Sequence, residues 1–450
     1  MRSSLVTRGR ACGNLLGLLL LASCGGGEGE GGSAATYTVG GTITGLTASG
    51  GVVLRNNGGD DLTLTHDGPF TFAKPGAQGA GYSVTVLSAQ RPFQSCSVSA
   101  GSGTFAGANV TSVAVSCVVH NLVFFTSTTH DGNLGAPPSA AFAAADGICN
   151  ARAQAAGLPG SYVAWLSTST ANAKDRLGTS RGWVRTDSLP FVDTVADLVA
   201  GKVFYPPRAD ESGSVATTQI VVLTGTQGNG TAQAGLTCAD WDSNAGGMEV
   251  ELGFSDAGGL GWTARGFGSC ANQGHLYCFG VGSSSQVSVT PAVGRLAFLS
   301  AGRFAMNTGI AAADTLCQNE ATAAGRSGTF KALLATTTAS AASRFSTAGA
   351  TWVRADGVPV FASAADLATT TMIAPINVTA AGNVPIVTLA ALGAPTFSTV
   401  GTAGTTCSNW ASNASTDQAS LLPADSSVPF VPALSCASGS GSLPVVCMQQ

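Results

Sequence analysis

The stretch AAADGICNARAQAAGLPGSYVAWLSTST, which contains Cys149, recurs as AAADTLCQNEATAAGRSGTFKALLATTT around Cys317, at an offset of 168 residues. At an offset of 169, Trp183-Val184-Arg185 recurs as Trp352-Val353-Arg354. The same offset relates Asp197 to Asp366, Pro206 to Pro375, Cys238 to Cys407, Trp241 to Trp410 and Asn244 to Asn413. A register that holds over some ninety residues with at most one insertion means one domain present twice, because a fixed period is the signature of a repeated unit. The copies span roughly 121–281 and 294–450, with VGSSSQVSVTPAVG between them as linker. Any fold for this chain must build the same unit twice.

The N-terminus reads differently. Arg2, Arg8 and Arg10 precede an apolar run at 15–21, followed by Leu21-Ala22-Ser23-Cys24 and three glycines. A basic segment, a short apolar segment and small residues before the cut make 1–23 a signal peptide. The run is shorter than the roughly 20 apolar residues a membrane-crossing helix needs. The same residues resemble the bacterial lipobox, which implies that Cys24 carries the lipid anchor, and Gly25 after it resembles outer-membrane sorting. Two or three acyl chains, at ~0.8 kcal/mol per buried CH₂, hold where one would be marginal. Residues 24–36 are a Gly-rich tether. Seven short alternating runs then follow between Tyr37 and Cys117, separated by Gly, Asn and Asp turns. They predict a β-sandwich over 37–118, with Cys96 and Cys117 stapling two late strands, and the segment resembles the Ig-like stalk modules of bacterial surface lipoproteins.

Only 10% of the 450 residues are charged, with 20 basic against 24 acidic, where soluble domains run at about 25%. This balance offers phosphates no field and excludes nucleic acid as a partner. A 44% hydrophobic content excludes disorder. Loss of 1–23 leaves 17 basic against 24 acidic residues. Of 12 cysteines, Cys12 leaves with the signal and Cys24 is acylated, so ten remain. An even number in an exported chain predicts disulfides, and metal binding is the weaker reading because no CxxC or CxxH pair occurs.

Each copy holds four cysteines, spaced by 89, 32 and 8 in the first and by 90, 29 and 11 in the second. Spacing alone leaves three connectivities open. The segments AAGLPGSYVAWLSTST, TCADW and SCANQGHLYCFG resemble endostatin, the C-terminal domain of certain collagens, and more closely a bacterial endostatin-like family of unassigned function. The resemblance covers each copy nearly end to end. It implies two tandem α+β domains of the C-type-lectin-like fold, bridged Cys149 to Cys278 and Cys238 to Cys270, then Cys317 to Cys447 and Cys407 to Cys436. Each bridge is worth ~2–4 kcal/mol. Locally, Phe142, Ala145, Cys149, Ala153 and Ala156 share one helix face with Gly157 placed as its C-terminal cap, and 162–166 reads as a buried strand. Trp165 becomes Leu333 in the second copy, which favours a core role, and Trp241 and Trp410 read as packing against their disulfides.

Catalytic signals are sparse. His66, His120, His130 and His275 lie in different segments without counterparts in the second copy, His130-Asp131 reads as a turn, and HExxH, GxSxG and P-loop patterns are missing. No N-terminal histidine cluster of the kind that holds zinc in endostatins precedes either copy, and arginines of the kind that bind heparin are few, Arg152, Arg176, Arg181, Arg185, Arg208 and Arg265 in the first copy and fewer in the second, so neither property is carried over. Asp240, Asp242, Asn244 and Glu251 stand at positions 1, 3, 5 and 12 of a would-be calcium loop. Position 6 is Ala245 in place of Gly, and the second copy offers Asn409, Ala411 and Asn413. A solvated loop is the stronger reading, with calcium the one cofactor to weigh. Long irregular loops on a disulfide-tied scaffold are where ligands dock, so Tyr205, Trp262 and Arg265 are the ligand-binding candidates.

These readings together predict a non-catalytic, lipid-anchored, monomeric bacterial surface protein, sorted to the outer membrane and binding an extracellular or envelope protein or glycan. The alternatives are a structural envelope protein without a specific ligand and, more remotely, an enzyme on a lectin-like scaffold. The second copy, poorer in charge and in Trp, would serve to position the first.

Overall fold

The computed structural model describes residues 35–47, 51–89, 93–134, 140–369, 372–386, 389–428 and 432–450. The signal segment, Cys24 and nearly all of the tether lie outside the described residues. The described chain is rich in strands, with few helices and several separate sheets. Among these residues no helix is long and apolar enough to cross a membrane.

The first segment pairs two four-stranded sheets around one core. The strands Gly68–Thr71, Val39–Thr44, Val110–Val119 and Gln94–Ser99 form one sheet, and Asp60–Leu64, Val52–Asn56, Gly81–Ala89 and Ser102–Thr104 form the other. Alternation decides which side chains go inside: Val39, Ile43, Val52, Leu54, Val113 and Val115 are buried and share a cluster with Phe70, Phe72 and Phe105. Cys117 stands opposite Cys96 in register, and the two are bonded, as the two late runs led us to expect.

Only His120 separates this segment from the next strand, Asn121–Phe125, which is buried along its whole length. That strand lies in the middle of a five-stranded sheet ordered Ser161–Ala164, Tyr277–Val281, Asn121–Phe125, Trp183–Arg185, Pro190–Val192. The first and last strands of the copy are thus neighbours, and the chain closes on itself. The helix Ala141–Ala155 buries Ala141, Ala145, Cys149 and Ala153, a spacing of four that sets one face on the sheet. Phe142 sits at the edge of that face under the Arg176 guanidinium, Ala156 is the C-cap, and Gly157 takes the positive φ of 67° expected after it. A smaller sheet combines Val221–Leu223, Glu249–Phe254 and Gly266–Ser269.

The second copy repeats this plan. Phe330–Ala332, Val446–Gln449, Arg295–Leu299 and Trp352–Val353 are ordered as their counterparts are, and Leu389–Ala391, Gln418–Pro423 and Ala433–Ser435 form the smaller sheet. The four bridges are Cys149–Cys278, Cys238–Cys270, Cys317–Cys447 and Cys407–Cys436. The longer bridge of each copy ties the opening helix to the last strand across 129 or 130 residues.

A left-handed turn follows the same logic in both copies. Cys238, Ala239, Asp240 and Trp241 have φ of 50°, 53°, 60° and 69°, and Cys407, Ser408, Asn409 and Trp410 have 48°, 52°, 64° and 63°. Without glycine this costs about 1–2 kcal/mol per residue, so the surroundings must impose it. Each turn is pinned by its disulfide and by a fully buried indole whose Nε1 donates to Ser167 O or Ala335 O at 2.8 Å. A threonine before each turn, Thr237 or Thr406, accepts from the backbone N–H of Asp240 or Asn409.

The copies also meet each other. Ala257 and Ser426, related by the repeat, form an antiparallel bridge. Gly258 N donates to Asp425 O at 2.6 Å, and Ser427 N donates to Asp256 O at 2.9 Å. Each bond maps onto the other when the copies are exchanged, which is the reciprocity of a two-fold contact.

Candidate ligand-binding clefts

The residues singled out for ligand binding are used inside the molecule. Trp262 is fully buried and packs against Trp165, Phe191, Tyr277 and Phe279 with ring centroids 5.0–5.9 Å apart, so it is a core residue. Tyr205 is buried in a cluster with Val358 and Ala374 of the second copy. Arg265 reaches across to Asp425 at 2.9 Å, with both side chains under 10% exposed. All three are corrections to the loop-ligand expectation. An aromatic ring or a guanidinium at a domain seam has the composition of a ligand contact, and here two of the three contact the neighbouring copy.

The calcium set is likewise dispersed. Among the described residues no three His, Cys, Asp or Glu side chains are grouped to hold a metal ion. The left-handed turn aims Asp240 at Ser169, whose N–H donates to it at 2.6 Å, and Asn409 accepts from Thr337 N at the matching place. Asn244 donates to Asp131 at 3.1 Å, and Asp242 caps the turn. Glu251 sits on the strand Glu249–Phe254, where burial pushes its carboxyl up to about 7 against the opposing effect of the Gly266 N–H.

Other charged groups hold the frame. Asp146 accepts from Ala164 N and pairs with Arg176, and Asp314 accepts from Ala332 N and pairs with Arg344. Arg185 with Asp187 and Arg354 with Asp356 repeat in the same way, each arginine also donating to a proline carbonyl, Pro206 or Pro375. At the turn after the first strand, Arg152 and Ser127 bind Glu211. Burial raises the Glu211 carboxyl, but these donors outweigh it and hold the group below its usual range. In the second copy Glu320, on the helix position of Arg152, takes the Ala301 and Gly302 N–H groups directly. Sequence reasoning missed these pairs, although Asp146–Arg176 and Asp314–Arg344 share one offset of 168 and were findable from it.

A cleft opens at the same place in each copy. In the first it has a volume of about 520 Å³ and is lined by Asn121 and Leu122 at the start of the first strand, 159–162, and 280–285. Phe93, Val119 and His120 wall it from the preceding segment, and burial lowers the His120 imidazole, favouring its neutral form. The lining is glycine, serine, backbone and uncharged rings. In the second copy the corresponding cleft, about 600 Å³, lies between Gly294, Leu296, Ser327, Phe330 and Gln449, and adds Arg326 and the Arg354–Asp356 pair. No protein-family model matches this chain, and no curated protein is similar to it by sequence.

Proposed function

We propose that this chain is a non-catalytic bacterial surface lipoprotein. An acyl anchor on Cys24, a tether and an Ig-like stalk carry two tandem domains of the endostatin-like, C-type-lectin-like kind, which bind an extracellular or envelope glycan or protein. The supporting observation is the cleft repeated at the start of the first strand, lined in the first copy by serine, glycine and backbone groups beside the apolar walls of Phe93, Leu122 and Tyr162, with His120 held toward its neutral form and no carboxylate, Lys or Arg among them. Such a lining suits a neutral, hydroxyl-rich ligand held by several hydrogen bonds. The Asp146–Arg176, Arg185–Asp187, Asp314–Arg344 and Arg354–Asp356 groups are committed to internal pairs that brace the frame.

The test is the oxidised full-length chain, in mild detergent, on a glycan array and against envelope and extracellular-matrix fractions. Specific retention that is lost in Ser284→Trp, on the exposed rim of the first cleft, and kept in Ser327→Trp, on the rim of the second, is the expected result. Blank arrays and fractions throughout sink the reading. Release from membranes by Cys24→Ala tests the anchor separately.

A further inference from the structure

The two-fold seam is broken at one position. Arg208 in the first copy corresponds to Asn377 in the second, at the repeat offset of 169. The Arg208 guanidinium crosses the seam to Met372 O at 3.2 Å and Ser427 Oγ at 3.0 Å, and lies along Ala216, whose carbonyl it contacts at 3.2 Å. Ala216 is the counterpart of Pro385. On the other side of the seam the shorter Asn377 leaves a cleft of about 280 Å³ beside Pro385. Leu260 and Ala264 of the first copy and Val384 and Ile386 of the second form its walls, and Asn377 and Asp425 line it as well.

Its polar groups specify what would fit. Asn377 is only 2% exposed, and its Oδ1 accepts from Arg354 at 3.0 Å. That bond fixes the amide orientation, because a guanidinium only donates. The Nδ2 end donates to no described residue and lies against Gly258 and Gly259, the second of which lines the cleft. Asp425 is already paired with Arg265, so a second cation is not called for and an anion would be repelled. A Cβ on Gly261 would stand 2.7 Å from the Asp425 carboxylate, so glycine keeps this wall open.

We propose that the seam cleft is a second binding site, independent of the edge clefts, for a small neutral molecule with a ring-sized apolar body and one oxygen acceptor for the Asn377 amide. An apolar cavity of roughly 150 Å³ already takes benzene, so a substituted single ring is the right size. The site exists only where both copies contribute.

Ligand-observed NMR and thermal shift on the oxidised full-length chain test it, with acetophenone as probe, toluene as the ring without an acceptor and benzoate as the anion. Saturable acetophenone binding is expected, with toluene weaker by about two- to tenfold for the missing hydrogen bond and benzoate silent. Ala264→Phe, which fills the cleft, should abolish binding. Ile386→Ser at the 88% exposed mouth should weaken it about threefold without threatening the fold, and Ser284→Trp at the edge cleft should leave it unchanged. No saturable binding at millimolar probe, equal binding of toluene, or unaltered binding in both Ala264→Phe and Ile386→Ser overturns the proposal.

Discussion

The two copies share a frame and differ in what fills it. Both keep the left-handed turn, a second indole bonded to the last strand (Trp183 Nε1 to Gly280 O, Trp352 Nε1 to Gln449 O), the helix-to-strand disulfide and the paired Asp–Arg braces. The first copy packs Trp165 and Trp262 against Phe279, where the second has Leu333 and Met448 in a cluster that keeps Trp352, Phe345 and Phe361. Devices that recur despite this divergence are the ones the architecture needs, and the residues that differ can drift or acquire a task.

The comparison breaks most sharply at the turn. Trp241→Ala and Trp410→Ala should each cost about 3–5 kcal/mol, followed by circular dichroism during denaturation. A loss confined to one copy would mean that the turn is frame in that copy only. Arg265→Ala leaves Asp425 buried without its cation and should cost about 3–5 kcal/mol. A double-mutant cycle with Asp425→Asn checks it, since additive losses would show the seam pair to be uncoupled. Trp165→Leu, which gives the first copy the residue of the second, should cost about 1–3 kcal/mol because the neighbours remain shaped for an indole.

Acidity separates the copies next. The Glu251 and Asp425 carboxyls are raised to about 7 and about 6, chiefly by burial. A carboxyl with a raised folded-state pKa holds its proton more tightly folded than unfolded. Its contribution is therefore full near pH 4 and is lost as pH rises through 6 to 7. The melting temperature should climb as pH falls from 7.5 toward 5, and Glu251→Gln should flatten that climb. Serine occupies the Glu251 position in the second copy, Ser420, so the Glu251 part belongs to the first alone. The smallest effect is expected at Tyr277→Phe, within about 1 kcal/mol of wild type, because the Tyr277 hydroxyl is buried and hydrogen-bonds no described residue.

Much of the frame was legible beforehand because it is written in periods. Ala145, Cys149 and Ala153 at intervals of four gave the helix face, alternation gave the first segment's sheets, and the offset of 168–169 gave two equal units. The disulfide pairing came from the endostatin-like resemblance, since spacing alone left it open. The left-handed turn was not legible, because Cys-Ala-Asp-Trp has no glycine and nothing local favours positive φ. It is imposed by contacts distant in sequence, namely Cys270 and Ser167. The orientation of Asp240 was not legible for the same reason: the turn aims its carboxylate at Ser169, which the linear spacing of Asp240, Asp242 and Asn244 does not foretell. Tyr205 and Arg265 were misplaced because sequence does not say whether an interfacial residue meets a foreign molecule or its own repeat.

The reciprocal bonds of Gly258 and Ser427 also govern assembly. A face that matches itself under a half-turn closes after two units, and here both units sit on one chain, joined by the short linker 282–293, which holds them at a high effective concentration. Growth through that face stops inside the molecule. A chain bearing only one such unit would present the face to solvent and pair with one neighbour, whereas this chain completes the pair by itself and leaves that face nothing further to bind.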